Sequence, residues 1–454
     1  DLNKTVVSFK DIAVFAPMLY GMDQQVFIDG KFDNYIKDLK ATNLVLKTGE
    51  KTEIRGSIQL PDFRDLKASF YQERIDYIYA DINDLTKIKI PSKDEPKYLA
   101  LDPIIHRLGY LEGENIRLDG LYSQFVLSAD ELKTAVGSVN MDNGLYFTYD
   151  KARDLYVFKH SEASEYDVKV NSFDLGRLLA SNNFGIVDGH FFLSGEAKGF
   201  SSVNFTNLSG RVNRFDLLQY PYSNIEITDG SFIDNILYAK VGVDDNNLQL
   251  AYEGTINLNG TPEMDMRVDI NRAFLKRLNL VPLDSTSLVA NIDIHLTGFD
   301  LNTMEGCATM NDVRFRQGSK EIEIPNLVLD IYRDPAGDKF KLSSTLVDAT
   351  VEGKMNFNNI GLIVQDQLSQ IFPGFSDLQI SERTRRRNKL NSTDHVDYNI
   401  TIKDLTQVLE IFAPAVAISN NTTIVGDYDA ADREFRMKLK SDAISVSGRK
   451  IEKI

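Results

Sequence analysis

The chain offers few residues that could do metal or acid–base chemistry. Its five histidines are His106, His160, His190, His295 and His395. Two histidines that share a zinc ion usually sit close in sequence, as HxH, HxxxH or HExxH, so that both imidazoles reach one point. None of these five has such a neighbour. The single cysteine, Cys307, excludes an internal disulfide framework and a cysteine-rich zinc site. No GxSxG nucleophile turn, GxxxxGK[ST] phosphate loop or GxGxxG dinucleotide loop is present. Carboxylates are abundant, as in DDNN (244–247) and SEASEYD (161–167), but they fall in turns and on polar faces. Spacing alone selects no acid–base pair from them. The expectation is a protein that is not an enzyme and carries no metal or cofactor. One basic run stands out, SERTRRRNKL (381–390), with Arg383, Arg385, Arg386 and Arg387. It is either a solvated loop or a contact for anionic headgroups or an acidic partner surface.

Bulk composition narrows the class. With 66 acidic against 51 basic side chains the formal charge is -15. Phosphate recognition rests on clustered Lys and Arg, so nucleic acid is not an expected partner. Hydrophobic residues make up 43%, enough for a sizeable buried core. One cysteine in 454 residues suits an oxidising compartment. No apolar run approaches the roughly 18 residues of a membrane span. The first residue is Asp1 and the last stretch, SVSGRKIEKI, looks like mid-strand, so the chain reads as a mature or interior piece of something longer.

What would position any functional residue is a set of strands. Apolar and polar residues alternate along most of the chain, which is the mark of half-buried antiparallel strands. NLQLAYEGTINLNG puts Leu248, Leu250, Tyr252, Ile256 and Leu258 on one face. TPEMDMRVDI does so with Met264, Met266, Val268 and Ile270, and NIDIHLTG with Ile292, Ile294 and Leu296. Turn signals separate the strands, among them Asp119-Gly120, Asp188-Gly189 and Asp229-Gly230. Helical patterns are few and short: 101–111, and 361–375 with Ile363, Val364, Leu368 and Ile371 on one side.

A weak repeat organises these strands. An alternating strand runs into a short helix-like turn at 77–88, 166–179, 266–278 and 398–412, with Asp84-Leu85, Asp174-Leu175 and Asp404-Leu405 at equivalent points. A strand ending in glycine follows each: LDG at Gly120, LSG at Gly195, LTG at Gly298, IVG at Gly426. The implied division is a β segment over 1–76 and modules over 77–165, 166–265 and 266–397, the last with a helical insertion near 361–375. A fourth module begins at 398–454. All are read as parts of one continuous elongated domain.

The repeated strand ending in (S/T)G, the Asp-Leu-x-x-Leu turn and the many strands begun by glycine resemble the AsmA-like superfamily. Within it the pattern is most similar to TamB, especially the TamB-like proteins of the Bacteroidota. The likeness covers nearly the whole chain as pattern rather than as an invariant motif, and it implies an interior segment. The implied fold is mostly β: a long curled antiparallel sheet, open as a groove, with few short helices. The implied function is phospholipid transport through the periplasm between inner and outer membranes, with the tails in an apolar groove. The implied partners are phospholipids, a BamA-related outer-membrane barrel protein and the inner membrane, reached by a segment outside this chain. The apolar residues named above, from Leu248 to Leu296, are then the groove lining. Two other readings stay open. One is an outer-membrane protein assembly factor working through strand pairing; the other is a ligand-free β protein with a filled interior.

Overall fold

The computed structural model describes residues 2–13, 20–33, 39–60, 70–90, 97–101, 103–121, 123–153, 155–159, 168–198, 202–335, 337–354, 356–359, 395–429 and 434–454. The fold is mostly β, 69% strand against 8% helix, as the alternation predicts. Among the described residues no helix is long and apolar enough to cross a membrane. The predicted helix at 361–375, the arginine run and His160 lie outside the described residues.

The chain divides into two compact units, Asp1–Asp234 with Val241–Asp245, and Asn235–Lys240 with Asn246–Ile454. In the first, strands follow one another as an antiparallel meander. Leu2–Ser8, Gln25–Asp33, Leu39–Thr48, Thr52–Leu60, Phe70–Asp81, Tyr110–Leu121, Gln124–Thr134 and Gly137–Asp150 each pair with the next. The next lane holds two short strands end to end. Val168–Asp174 and Leu155–Lys159 each pair with Gly137–Asp150 on one side and Phe184–Lys198 on the other. Ser202–Leu217 and Ile225–Ile233 complete the meander.

The second unit repeats the design. Leu248–Asn257, Glu263–Ala273, Thr286–Thr297, Glu305–Gln317, Lys320–Tyr332, Asp338–Ser344 and Val347–Lys354 pair in chain order. His395–Ile402, Thr422–Asp429 and Glu434–Lys440 continue the series. Neighbouring strands in sequence are neighbours in space because short turns favour hairpins over crossovers.

Short helices interrupt the meander where the repeat predicts a turn: Ile82–Thr86, Leu175–Leu179 and Thr406–Phe412. The equivalent aspartates serve them in different ways. Asp174 is a helix N-cap that accepts from the Arg177 N–H at 2.9 Å. Asp404 accepts from the Thr406 N–H at 3.0 Å. Asp84 turns away from its own helix and clasps the neighbouring hairpin turn. It accepts from the N–H groups of Glu50 (2.9 Å), Lys51 (2.8 Å) and Thr52 (3.0 Å) and from the Thr52 hydroxyl. Burial alone would raise the Asp84 pKa; these donors outweigh it and hold the carboxylate below its usual range. The predicted helix over 101–111 is present as Pro103–Leu108.

Candidate functional site

Strand register decides whether alternating residues line up into one surface. In the second unit they do. Opposite one another across successive strands stand Gly254, Met266, Ile294, Ala308, Leu329, Leu342, Ala349, Ile400, Ile424 and Leu439. A second row, on the same face, runs Ile256, Met264, Leu296, Gly306, Ile331, Phe340, Val351, Tyr398, Gly426 and Met437. A third runs Tyr252, Val268, Ile292, Met310 and Leu327. The opposite face is polar. Its corresponding row is Glu253, Arg267, Asp293, Thr309, Val328, Ser343, Asp348, Thr401, Thr423 and Lys440.

The apolar face is closed in some places and open in others: in the second row Ile331 is 0% exposed and Tyr398 9%. In the row through Ile294 every side chain larger than alanine is half-buried; only Gly254 and Ala308 are buried. A packed interior would bury such residues almost wholly. Cover is local. Phe412, on the helix Thr406–Phe412, stacks on Phe315 with ring centroids 5.8 Å apart. Phe357 is 2% exposed and lies 4.0 Å from the Phe340 ring. The Arg333 guanidinium covers both of these rings, at 5.1 and 5.6 Å.

The first unit carries the same feature. Ile28, Leu46, Ile54, Ile78, Gly113, Leu132, Val139, Val170, Gly189, Val212 and Ile225 stand in register. Beside them an aromatic row reads Gly120, Phe125, Phe147, Phe158, Gly195, Phe205 and Phe232. Phe125 and Phe147 stack at 4.8 Å, and Phe158 meets Phe205 edge-on at 6.1 Å. The repeated glycines find their reason here. A side chain at Gly195 would run into the Asn204 carbonyl oxygen and the Phe158 ring, one at Gly426 into the Arg436 carbonyl oxygen and the Tyr398 ring and hydroxyl, and one at Gly120 into the Gln124 carbonyl oxygen and the Cα of Phe125. At Gly195 and Gly426 a ring lies across bare backbone and fills the gap that glycine leaves. Gly298 differs: its φ of 77° makes it a turn residue past the strand end.

The predicted lining residues therefore fall into place as follows. Tyr252, Ile256, Met264, Met266, Val268, Ile292, Ile294 and Leu296 lie in the three rows, with Leu250 opposite Ile270 and Leu248 opposite Ala273 beside them. Leu258 follows the end of its strand and is 45% exposed, outside the rows. Nothing in the isolated strand sequences selected the first unit's rows as lining, though the same alternation runs through them.

One residue of the first unit breaks the apolar pattern. Glu73 stands in register with Leu118, Leu127 and Leu145. Its carboxylate accepts from the Gln59 N–H at 3.2 Å. Burial pushes its pKa from 4.5 up to about 7, against the pull of that amide. The folded chain thus holds this proton more tightly than the unfolded chain. The stability it contributes is full below pH 4.5 and is lost as pH rises through about 7. Glu73→Gln should flatten that slope and, after discounting for solvent screening, gain about 1 kcal/mol near pH 8. Urea midpoints of the two proteins across this range check it; an unchanged slope contradicts it.

The rest of the polar surface is conventional. His295 lies on the polar face with its Nδ1 3.0 Å from Asp265. Among the described residues no group of three His, Cys, Asp or Glu is placed to hold a metal ion. An open hollow of about 570 Å³ on the polar face is lined by Phe27, Asp29, Val45, Lys47, Glu53 and Arg55. Within it Glu53 pairs with Lys47 at 3.2 Å and with Arg55 at 2.6 Å. A scan against protein-family models finds no match, and searches of curated proteins and of solved structures find none either.

Proposed function

We propose that the apolar sheet faces solvate the acyl chains of phospholipids, and that the chain is a segment of a lipid-carrying protein of the AsmA-like, TamB type. The observation that carries this reading is the row through Ile294: apolar across successive strands, and half-buried rather than closed over. Transfer of a methylene group from water to such a surface gains about 0.8 kcal/mol, so a tail gains many times that by lying along a row. The attraction is non-directional. No fixed residue is needed, and a tail can slide from one strand to the next while its headgroup stays in water. Direction and energy come from elsewhere. In this reading the segment works in the periplasm between inner and outer membranes. An inner-membrane anchor outside this chain and a BamA-related barrel at the outer membrane would be its partners. The test is transfer of a fluorescent phospholipid from donor to acceptor vesicles. The purified chain should accelerate it in proportion to its concentration; no acceleration contradicts the proposal.

A further inference from the structure

Glu73 puts a carboxyl group on the apolar face of the first unit. It lies on the strand Phe70–Asp81, in register with Leu118, Leu127 and Leu145. Two residues along, on the same face, Ile75 stands opposite Ile116. On the other flank runs the aromatic row through Gly120, Phe125 and Phe147. Glu73 and the three leucines are all half-buried, so the row is reachable from solvent. Among the described residues the carboxyl group meets one hydrogen-bond donor, the Gln59 N–H at 3.2 Å, and no cation. A carboxylate can accept about four hydrogen bonds, so most of its capacity is open. The nearby charges face the other way. On the adjoining strands Thr52–Leu60 and Tyr110–Leu121, residues Glu53, Arg55, Glu112, Glu114, Arg117 and Asp119 occupy the polar face. Arg74, on the same strand as Glu73, joins them and is bound to Asp119 at 2.6 Å. Asp76 is exposed at a break in the ladder, and Asp81 ends the strand.

We infer that Glu73 is the recognition point for an amphiphile whose alkyl chain carries a primary ammonium group, with the ammonium on the carboxylate and the chain along Leu118, Leu127 and Leu145. The inference rests on the reading of this face as a surface for alkyl chains, and adds a headgroup class to it. Three strand spacings separate Glu73 from Leu145, about 14 Å, which a medium-length alkyl chain spans. A charge alone on an apolar face is unfavourable, and either a proton or a cation relieves it. In the empty protein the proton does so, since burial holds the Glu73 pKa at about 7. A bound ammonium takes the proton's place with charge-assisted N–H bonds, and that proton passes to solvent. Binding then strengthens as pH rises through about 7. A quaternary ammonium carries the same charge but has no N–H to donate, and an anionic headgroup is repelled.

The experiment is isothermal titration calorimetry of the full chain with decylamine, decyltrimethylammonium and decanol, each below its aggregation concentration. At pH 8 decylamine should bind about tenfold more tightly than decyltrimethylammonium. At pH 6 only about a tenth of Glu73 is ionised, so decylamine should weaken about tenfold while decanol does not weaken. Glu73→Gln should remove both the preference and the pH dependence. Equal binding of the two cations, a decylamine affinity that ignores pH, or a preference that survives Glu73→Gln overturns the inference; decanol binding in those cases leaves the lipid reading standing. Binding of none of the three overturns both. The wild-type comparison across pH decides the matter even if the variant folds poorly.

Discussion

Ile294→Glu should slow chain-dependent lipid transfer by about tenfold or more while the sheet stays folded. Ile294 stands mid-row between Met266 and Ala308, with Ile292 and Leu296 on the same face of its own strand. A carboxylate there stays hydrated when the face is bare, because the site is half-buried. The expected loss of stability is about 1–2 kcal/mol, the apolar area that the isoleucine no longer covers. A tail crossing the row must displace that hydration, which costs about 2 kcal/mol or more. In a packed core the same substitution would leave a charge without water and unfold the unit. Circular dichroism and vesicle transfer, read together, separate the two. Loss of transfer with retained strand signal supports an open face; global unfolding supports a filled interior. Asp293→Asn, on the polar face one residue away, should change neither.

Gly195→Ala should destabilise its unit where Gly242→Ala does not. A Cβ at Gly195 collides with the Asn204 carbonyl oxygen and lies 2.7 Å from Phe158 Cζ, so backbone or ring must move. Phe158 is 5% exposed and held against Phe147 and Phe205, which leaves the ring little room to yield. Overpacking of this kind costs about 1–3 kcal/mol. At Gly242 nothing lies within 4 Å of the added carbon. There the lower entropy of alanine in the unfolded chain should leave stability unchanged or slightly raised. Hydrogen exchange along Phe184–Lys198 is the suitable measure, since a long meander need not unfold in one step. Equal protection in both variants would mean that the aromatic row does not depend on its glycines.

Much of this was legible in the sequence, and the limits have a physical cause. Alternation placed Met264, Met266, Val268, Ile292, Ile294 and Leu296 on one face, and they pair across one ladder: Met264 with Leu296, Met266 with Ile294, Val268 with Ile292. Register was not legible. A slip of one residue flips a strand's whole face, and the ladders contain bulges, as between Ile270 and Ala273, that no period-two count locates. The glycine endings were visible as a repeat, but not their purpose. That depends on which aromatic ring faces them from the adjacent strand, as Phe158 faces Gly195 and Tyr398 faces Gly426. Gly298 shows the cost of reading the repeat alone: the same LTG pattern ends in a turn. Glu73 escaped notice because one acid in an alternating strand reads as polar-face spacing until a bulge in the neighbouring ladder shifts it.

The central claim is that acyl chains touch the apolar face and not the polar one. A photoactivatable phospholipid with its reactive group in the acyl chain tests it directly, by mapping cross-links on the full chain after exposure to vesicles. The account predicts adducts along Ile294, Leu329 and Ile400 and none along the alternate positions Asp293, Val328 and Thr401. Adducts divided evenly between the two sets, or confined to the polar set, would contradict it.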